Sequence, residues 1–346
     1  MGTSRYLCSA VRIGVLAILA VSTIGCGVVR NAMYKTTGDV MVNFAEEHQV
    51  PFILGTDDVA MNCASSEALA PLLMSFGRVR DEPNKMAVMV YGAAGVCAEG
   101  AALDQELRYI RAIKNQNAME AEDAMITQKR LNILAANRSY LAYQYLVKEY
   151  GETGGECPDL DNEIDEIVYM NGLLAGLLSL NNEIASTSGL GIPKNIAAKV
   201  GRSAGCLDDD KWFGIPSALQ ATVWALLPGA QPEGEDAFKR LEIAVKKGER
   251  AGVRIPHVLQ ATAAYGKGKD ELVREVIKQH VKSKQRRESN EQYLFLDQLS
   301  TTMLTALSDK LWTQATGHRT PIGGLGTFWD EKAEPAGETI DLDDIL

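Results

Sequence analysis

Cysteine is the residue type through which this chain could do the most chemistry. Six are present, and Cys26 stands apart from the others. Arg5 and Arg12 make a basic leader, Ile13 to Ile24 an apolar run, and Thr23-Ile24-Gly25 puts small or apolar residues directly before it. A bilayer-spanning helix needs roughly 20 apolar residues, whereas the core of an export signal takes roughly 7–15. The run therefore reads as a bacterial lipoprotein signal peptide over residues 1–25, with Cys26 as the lipidated residue. An uncleaved or ordinary signal is the alternative. Two or more acyl chains give durable anchoring where one chain does not. Gly27 in place of an aspartate after the cysteine points to the periplasmic face of a Gram-negative outer membrane.

Cys8 leaves with such a signal, so Cys63, Cys97, Cys157 and Cys206 remain in an oxidising compartment. An even set of thiols there suits two disulfides. Cys63 and Cys97 lie at similar distances either side of Asp81-Glu82-Pro83-Asn84, and an antiparallel helix hairpin would bring them level. That favours Cys63 with Cys97 and leaves Cys157 with Cys206; four buried free thiols are the competing outcome. No CxxC or HxxxH spacing occurs and the four histidines are scattered, so no metal site is expected.

Charged side chains inside otherwise apolar segments form a second candidate: Asp57, Asp58, Glu106, Arg108, Arg111, Asp123, Lys129, Arg130 and Arg138. Helical spacing aligns Arg108 with Arg111 and sets Arg130 near the face of Arg138. Guanidinium groups facing a cavity could hold a carboxylate bidentately. Interhelical ion pairs are the plainer reading. Gly201-Arg202-Ser203-Ala204-Gly205 matches the G-x-S-x-G nucleophile elbow, but that elbow joins a strand to a helix, and here the flanks read as helix. No histidine stands beside an acid in a motif, so neither a catalytic residue nor a cofactor is expected.

The elements that must position these residues are helices. Ala, Leu, Glu, Lys and Met fill long apolar-periodic segments, and period-2 alternation is hard to find. Breakers delimit helices at about 57–78, 84–117, 120–149, 162–186, 193–206, 215–227, 234–251, 255–266, 269–285 and 290–314. The apolar segment Val168 to Leu180 is too short to span a bilayer and reads as a central buried helix, where Gly172 and Gly176 permit close approach. Ile215-Pro216-Ser217-Ala218-Leu219-Gln220-Ala221-Thr222 recurs forty residues later as Ile255-Pro256-His257-Val258-Leu259-Gln260-Ala261-Thr262, identical at six of eight positions. A helix pair repeating at that period implies an all-α chain built as an α-solenoid of tetratricopeptide-like pairs.

The domain plan is then a signal over 1–25, one helical solenoid domain over 26–320 and an acidic, disordered tail over 321–346. Loss of Arg5 and Arg12 with the signal moves the formal charge from −10 to −12, which argues against a nucleic-acid partner.

Taken together, Cys26, the Leu54 to Arg78 segment with Asp57-Asp58 and Pro71-Leu72-Leu73, the Met86 to Arg111 segment, and Gln128 through Tyr143 resemble the T-component lipoproteins associated with TRAP transporters. The resemblance implies a periplasmic lipoprotein that binds a transporter's solute-binding protein and assists uptake of small organic acids or apolar-tailed ligands. It also implies a homo-oligomer of helical solenoids with a cavity or pore. A tetratricopeptide-type outer-membrane scaffold without a small ligand is the rival, and a hydrolase using Ser203 a more distant one.

Overall fold

A computed structural model describes residue 27 and residues 29–331. Among these residues the chain is all-helical, and no strand forms. Helix α1 runs from residue 29 through a π-helical turn, Ala45–Gln49, into Val50–Leu54. There follow α2 (Val59–Ser75), α3 (Asn84–Lys114), α4 (Ala118–Tyr150), α5 (Glu163–Ser186), α6 (Ile196–Ser203), α7 (Ile215–Leu226), α8 (Ala237–Ala251), α9 (Ile255–Gly266), α10 (Asp270–Arg286) and α11 (Leu294–Thr316). Ten of these match the sequence expectation in place; α1 is the addition.

Local chemistry sets the starts. Side chains of Asp58, Asn117, Asn162 and Asp236 accept hydrogen bonds from the backbone N–H groups of Met61, Glu120, Asp165 and Lys239, satisfying donors that the first helical turn leaves free. Pro216 and Pro256 open α7 and α9, where a missing N–H costs nothing.

The packing begins with an antiparallel hairpin, α3 against α4, with α2 on α3 and α5 against both. Small residues allow the close approach. A Cβ at Gly172 would meet Leu146 at 2.7 Å, and one at Gly176 would meet Tyr143 at 2.7 Å. Helix α3 has the length and apolarity to cross a membrane. Here it is covered by α2, α4, α5 and α11.

Two disulfides tie this half together. Cys63 on α2 is bonded to Cys97 on α3, and Cys157 to Cys206 just beyond α6, with Cα atoms 5.6 and 5.4 Å apart. These are the pairs favoured by the hairpin argument.

Further along, α8 packs on α7 and α10 on α9, while α9 also touches α7 and α8. The two echoed segments open equivalent helices, α7 and α9, that lie against each other. The last helix then returns: α11 packs on α9 and α10 and also on α2, α3 and the end of α1.

The C-terminal boundary differs from the expected disordered tail. From Leu325 to Glu331 the chain packs against α10 and α11: Phe328 is buried, Trp312 donates from Nε1 to the Thr327 carbonyl at 3.1 Å, and Asp330 and Glu331 pair with Arg274 and Lys278. Aromatic burial and the cations of α10 hold this piece, and the acid-rich composition concealed both. Residues 332–346 lie outside the described residues, as do residues 1–26 with the signal and Cys26.

Candidate functional site

Six helices form a closed circuit. Helix α3 packs on α5, α5 on α6, α6 on α7, α7 on α9, α9 on α11, and α11 returns to α3. Across the circuit, α5 and α11 share no substantial interface, nor do α3 and α9.

Side-chain exposure separates two faces on three of these helices. On α11 the positions Asp297, Ser300, Leu304, Ser308 and Leu311 are buried against the neighbours. The adjoining stripe, Leu296, Leu299, Met303, Ala306 and Lys310, is half-exposed throughout. Their spacing of three and four residues puts them on one face. Helix α5 repeats the pattern with Leu174, Leu177 and Leu178, ending on the exposed Asn181, and α3 repeats it with Val96, Glu99, Leu103, Glu106 and Ile110. Two contacts bring the stripes together. Asn181 Nδ2 reaches Glu99 Oε1 at 3.5 Å, and Lys310 Nζ lies 2.6 Å from Glu106 Oε1. The Lys310 ammonium also sits 4.7 Å from the centre of the Tyr265 ring on α9. The result is a set of half-exposed, mainly aliphatic positions on α3, α5 and α11 with a few polar groups at fixed places between them.

The electrostatics follow from those neighbours. Burial pushes the Glu99 carboxyl up to about 6, against the opposing pull of hydrogen bonds from Asn182 and Asn181. A carboxylate among aliphatic neighbours loses hydration that two amides replace only in part. Burial acts to lower the Lys310 pKa, yet Glu106 and Tyr265 outweigh it and hold the ammonium above its ordinary value.

The arginines singled out from the sequence do not meet here. Arg108 pairs with Glu120 and Asp123 across the α3–α4 turn. Arg138 pairs with Glu67 and donates to the Ala94 carbonyl at 3.0 Å. Arg138 is thus level with Ala94, and Ala94 stands 14 residues from Arg108 on α3, about 21 Å along the axis. Arg130 is exposed on α4, and Arg111 lies one turn beyond Arg108. Four guanidiniums so dispersed cannot grip one carboxylate. The i, i+3 alignment holds along each helix, but the register between helices spreads the arginines out and supplies acids to the two that are paired.

Sequence reasoning missed Glu99, Asn181 and Lys310. Glu99 did carry a signal, being the one charged residue between Lys85 and Asp104. Ser203 is at the end of a helix, and its Oγ accepts from the Gly154 N–H at 2.7 Å; the strand that an elbow requires is absent among the described residues.

A concavity of about 500 Å³ lies beyond the end of α5, lined by Glu183, Ile184, Thr187, Ser188, Ile192 and Lys194. Its polar groups serve one another. Burial would raise the Glu183 pKa, but Lys194 and the Leu190 N–H overcome that and hold it low. No group of three or more His, Cys, Asp or Glu among the described residues could hold a metal ion.

No protein-family model, no curated protein and no solved structure matches the chain.

Proposed function

We propose that this chain is a lipid-anchored periplasmic protein that docks a transporter's solute-binding protein and passes small organic acids or apolar-tailed ligands through the interior of its helix circuit. Cys26 is the anchor, on the periplasmic face of an outer membrane. The helix pairs α7–α8 and α9–α10 are tetratricopeptide-like units of a solenoid, and the return of α11 to α3 closes that stack. Such stacking generates extended concave faces suited to docking a partner.

The observation that carries this reading is that α3 meets α5 at Glu99–Asn181 and α11 at Glu106–Lys310, with half-exposed aliphatic positions beside both contacts. Leu177, Leu178, Leu299 and Met303 suit an aliphatic tail. Glu99, Asn181, Lys310 and Tyr265 suit a polar end. The resemblance to T-component lipoproteins supports the choice of partner, and the arginine band is not part of the site.

The test is capture. The chain starting after Cys26 is immobilised, periplasmic extract is passed over it, and retained proteins are identified by mass spectrometry. Specific retention of a solute-binding protein is expected. Retention of envelope-assembly or cell-wall proteins alone would favour a tetratricopeptide-type scaffold instead.

A further inference from the structure

Helix α1 exposes an apolar stripe that nothing among the described residues covers. Val29, Met33, Val40 and Phe44 are 60%, 64%, 61% and 56% exposed. At about 100° per residue the four fall within an arc of about 60°. Gly38 and Val42, the positions through which this stretch is buried against the body, lie on the opposite side. The stripe therefore points directly away from the protein. Residues 29–37 are all exposed, so the start of α1 projects beyond the body.

Three observations say what meets this face. Residue 27 is helical and the helix is continuous from residue 29, which leaves almost no chain between the stripe and Cys26. Residues 29–37 contain Arg30 and Lys35 and no acid, in a chain of net charge −10. Thr36 and Asn43 occupy the alternate positions where a helix–helix seam spaced 29, 33, 36, 40, 43 would need apolar residues. Apolar residues on one face, Arg30 at its flank, Lys35 on the opposite, polar face and no seam are the pattern of a helix lying in a lipid interface.

We propose that the outer stripe of α1, Val29, Met33, Val40 and Phe44, lies in the headgroup region of the membrane that carries the Cys26 anchor. The stripe is about 22 Å long, so the helix lies along the surface and sets the orientation of the helix circuit above it. This rests on the reading of Cys26 as lipidated.

The test uses the full lipidated chain in vesicles of phosphatidylethanolamine and phosphatidylglycerol. Nitroxide labels are placed singly through Met33→Cys, Val40→Cys, Phe44→Cys and, on the opposite side of the helix, Asn31→Cys; the four native body cysteines are held in disulfides. The acyl mass on Cys26 is read first. On lipidated protein, the three stripe labels should lose collisions with an aqueous nickel complex and gain collisions with oxygen, while Asn31→Cys keeps its nickel access. Nickel access retained at all four sites overturns the proposal. Loss of both nickel and oxygen at the stripe also overturns it and assigns the face to a second copy of the chain. An unmodified Cys26 on protein that does not float with vesicles overturns the anchor reading and the proposal with it.

Discussion

Helices α7 and α9 begin with nearly the same eight residues and end in different circumstances. Where α7 is preceded by Gly214, α9 is preceded by Arg254. Gly214 has φ +81°, and a Cβ there would meet the Ala244 carbonyl oxygen at 2.8 Å, so this position needs glycine to let α8 close on α7. Arg254 instead inserts fully buried, donating to both oxygens of Asp297 on α11, to Ser283 and to the Arg287 carbonyl. Ser217 becomes His257, buried beside His280 with ring centres 5.4 Å apart. Gln220 donates to the Gly201 carbonyl at 3.1 Å, whereas Gln260 Oε1 is buried without a partner among the described residues. The first copy is an interior unit with α6 on one side and α9 on the other. The second must receive α11, the helix that closes the circuit, and polar insertion fixes where it docks. Shared residues set the helix, and the differing ones set its neighbours.

Breaking that dock should produce the largest effect. Asp297→Ala strands the Arg254 guanidinium, and loss of one partner from a buried pair costs about 3–5 kcal/mol. Urea melts should register it. Asp209→Ala in the first copy, whose carboxylate accepts from Ser217 N–H and Lys247 at a half-buried site, should cost about 1 kcal/mol.

Acid should separate the copies next. Burial, reinforced by His257, pushes the His280 pKa down to about 3. Neutral in the fold and near 6.5 when unfolded, it binds more protons in the unfolded chain between those values. Stability is therefore complete above about pH 6.5 and falls toward pH 3, by roughly 1.4 kcal/mol per pH unit for this group. His280→Leu should flatten that limb of a Tm-against-pH profile.

Smaller still, Gln220→Leu should cost about 1 kcal/mol through its lost hydrogen bond, while Gln260→Leu should be close to neutral. Equal losses in denaturant melts would erase the contrast between the copies. For Glu99 the sign reverses: a carboxyl raised to about 6 favours the fold below its unfolded pKa and loses that contribution as pH rises through 6. Glu99→Gln should thus raise Tm slightly at pH 8 and leave it unchanged near pH 4.

Legibility followed the range of the interactions. Helix bounds and the Cys63–Cys97 pairing were readable because capping residues, prolines and the spacing around Asp81-Glu82-Pro83-Asn84 act within a few turns. The echo at Ile215 and Ile255 marked equivalent helices. Helix α1 went unread because its apolar stripe faces outward and Pro51 and the π turn interrupt its period. The site stayed hidden for another reason. Glu99, Asn181 and Lys310 come from three helices whose mutual register no periodicity encodes, and the arginine band failed on that same register.

The most direct test of the proposed ligand-passing interior is native mass spectrometry of the chain starting after Cys26 with a series of straight-chain carboxylic acids. The account predicts one acid bound per chain, with affinity rising with tail length, and binding abolished when Leu178→Trp fills the lining of a variant whose melting curve stays cooperative. Failure of every acid to bind, or unchanged binding in the filled variant, would contradict it.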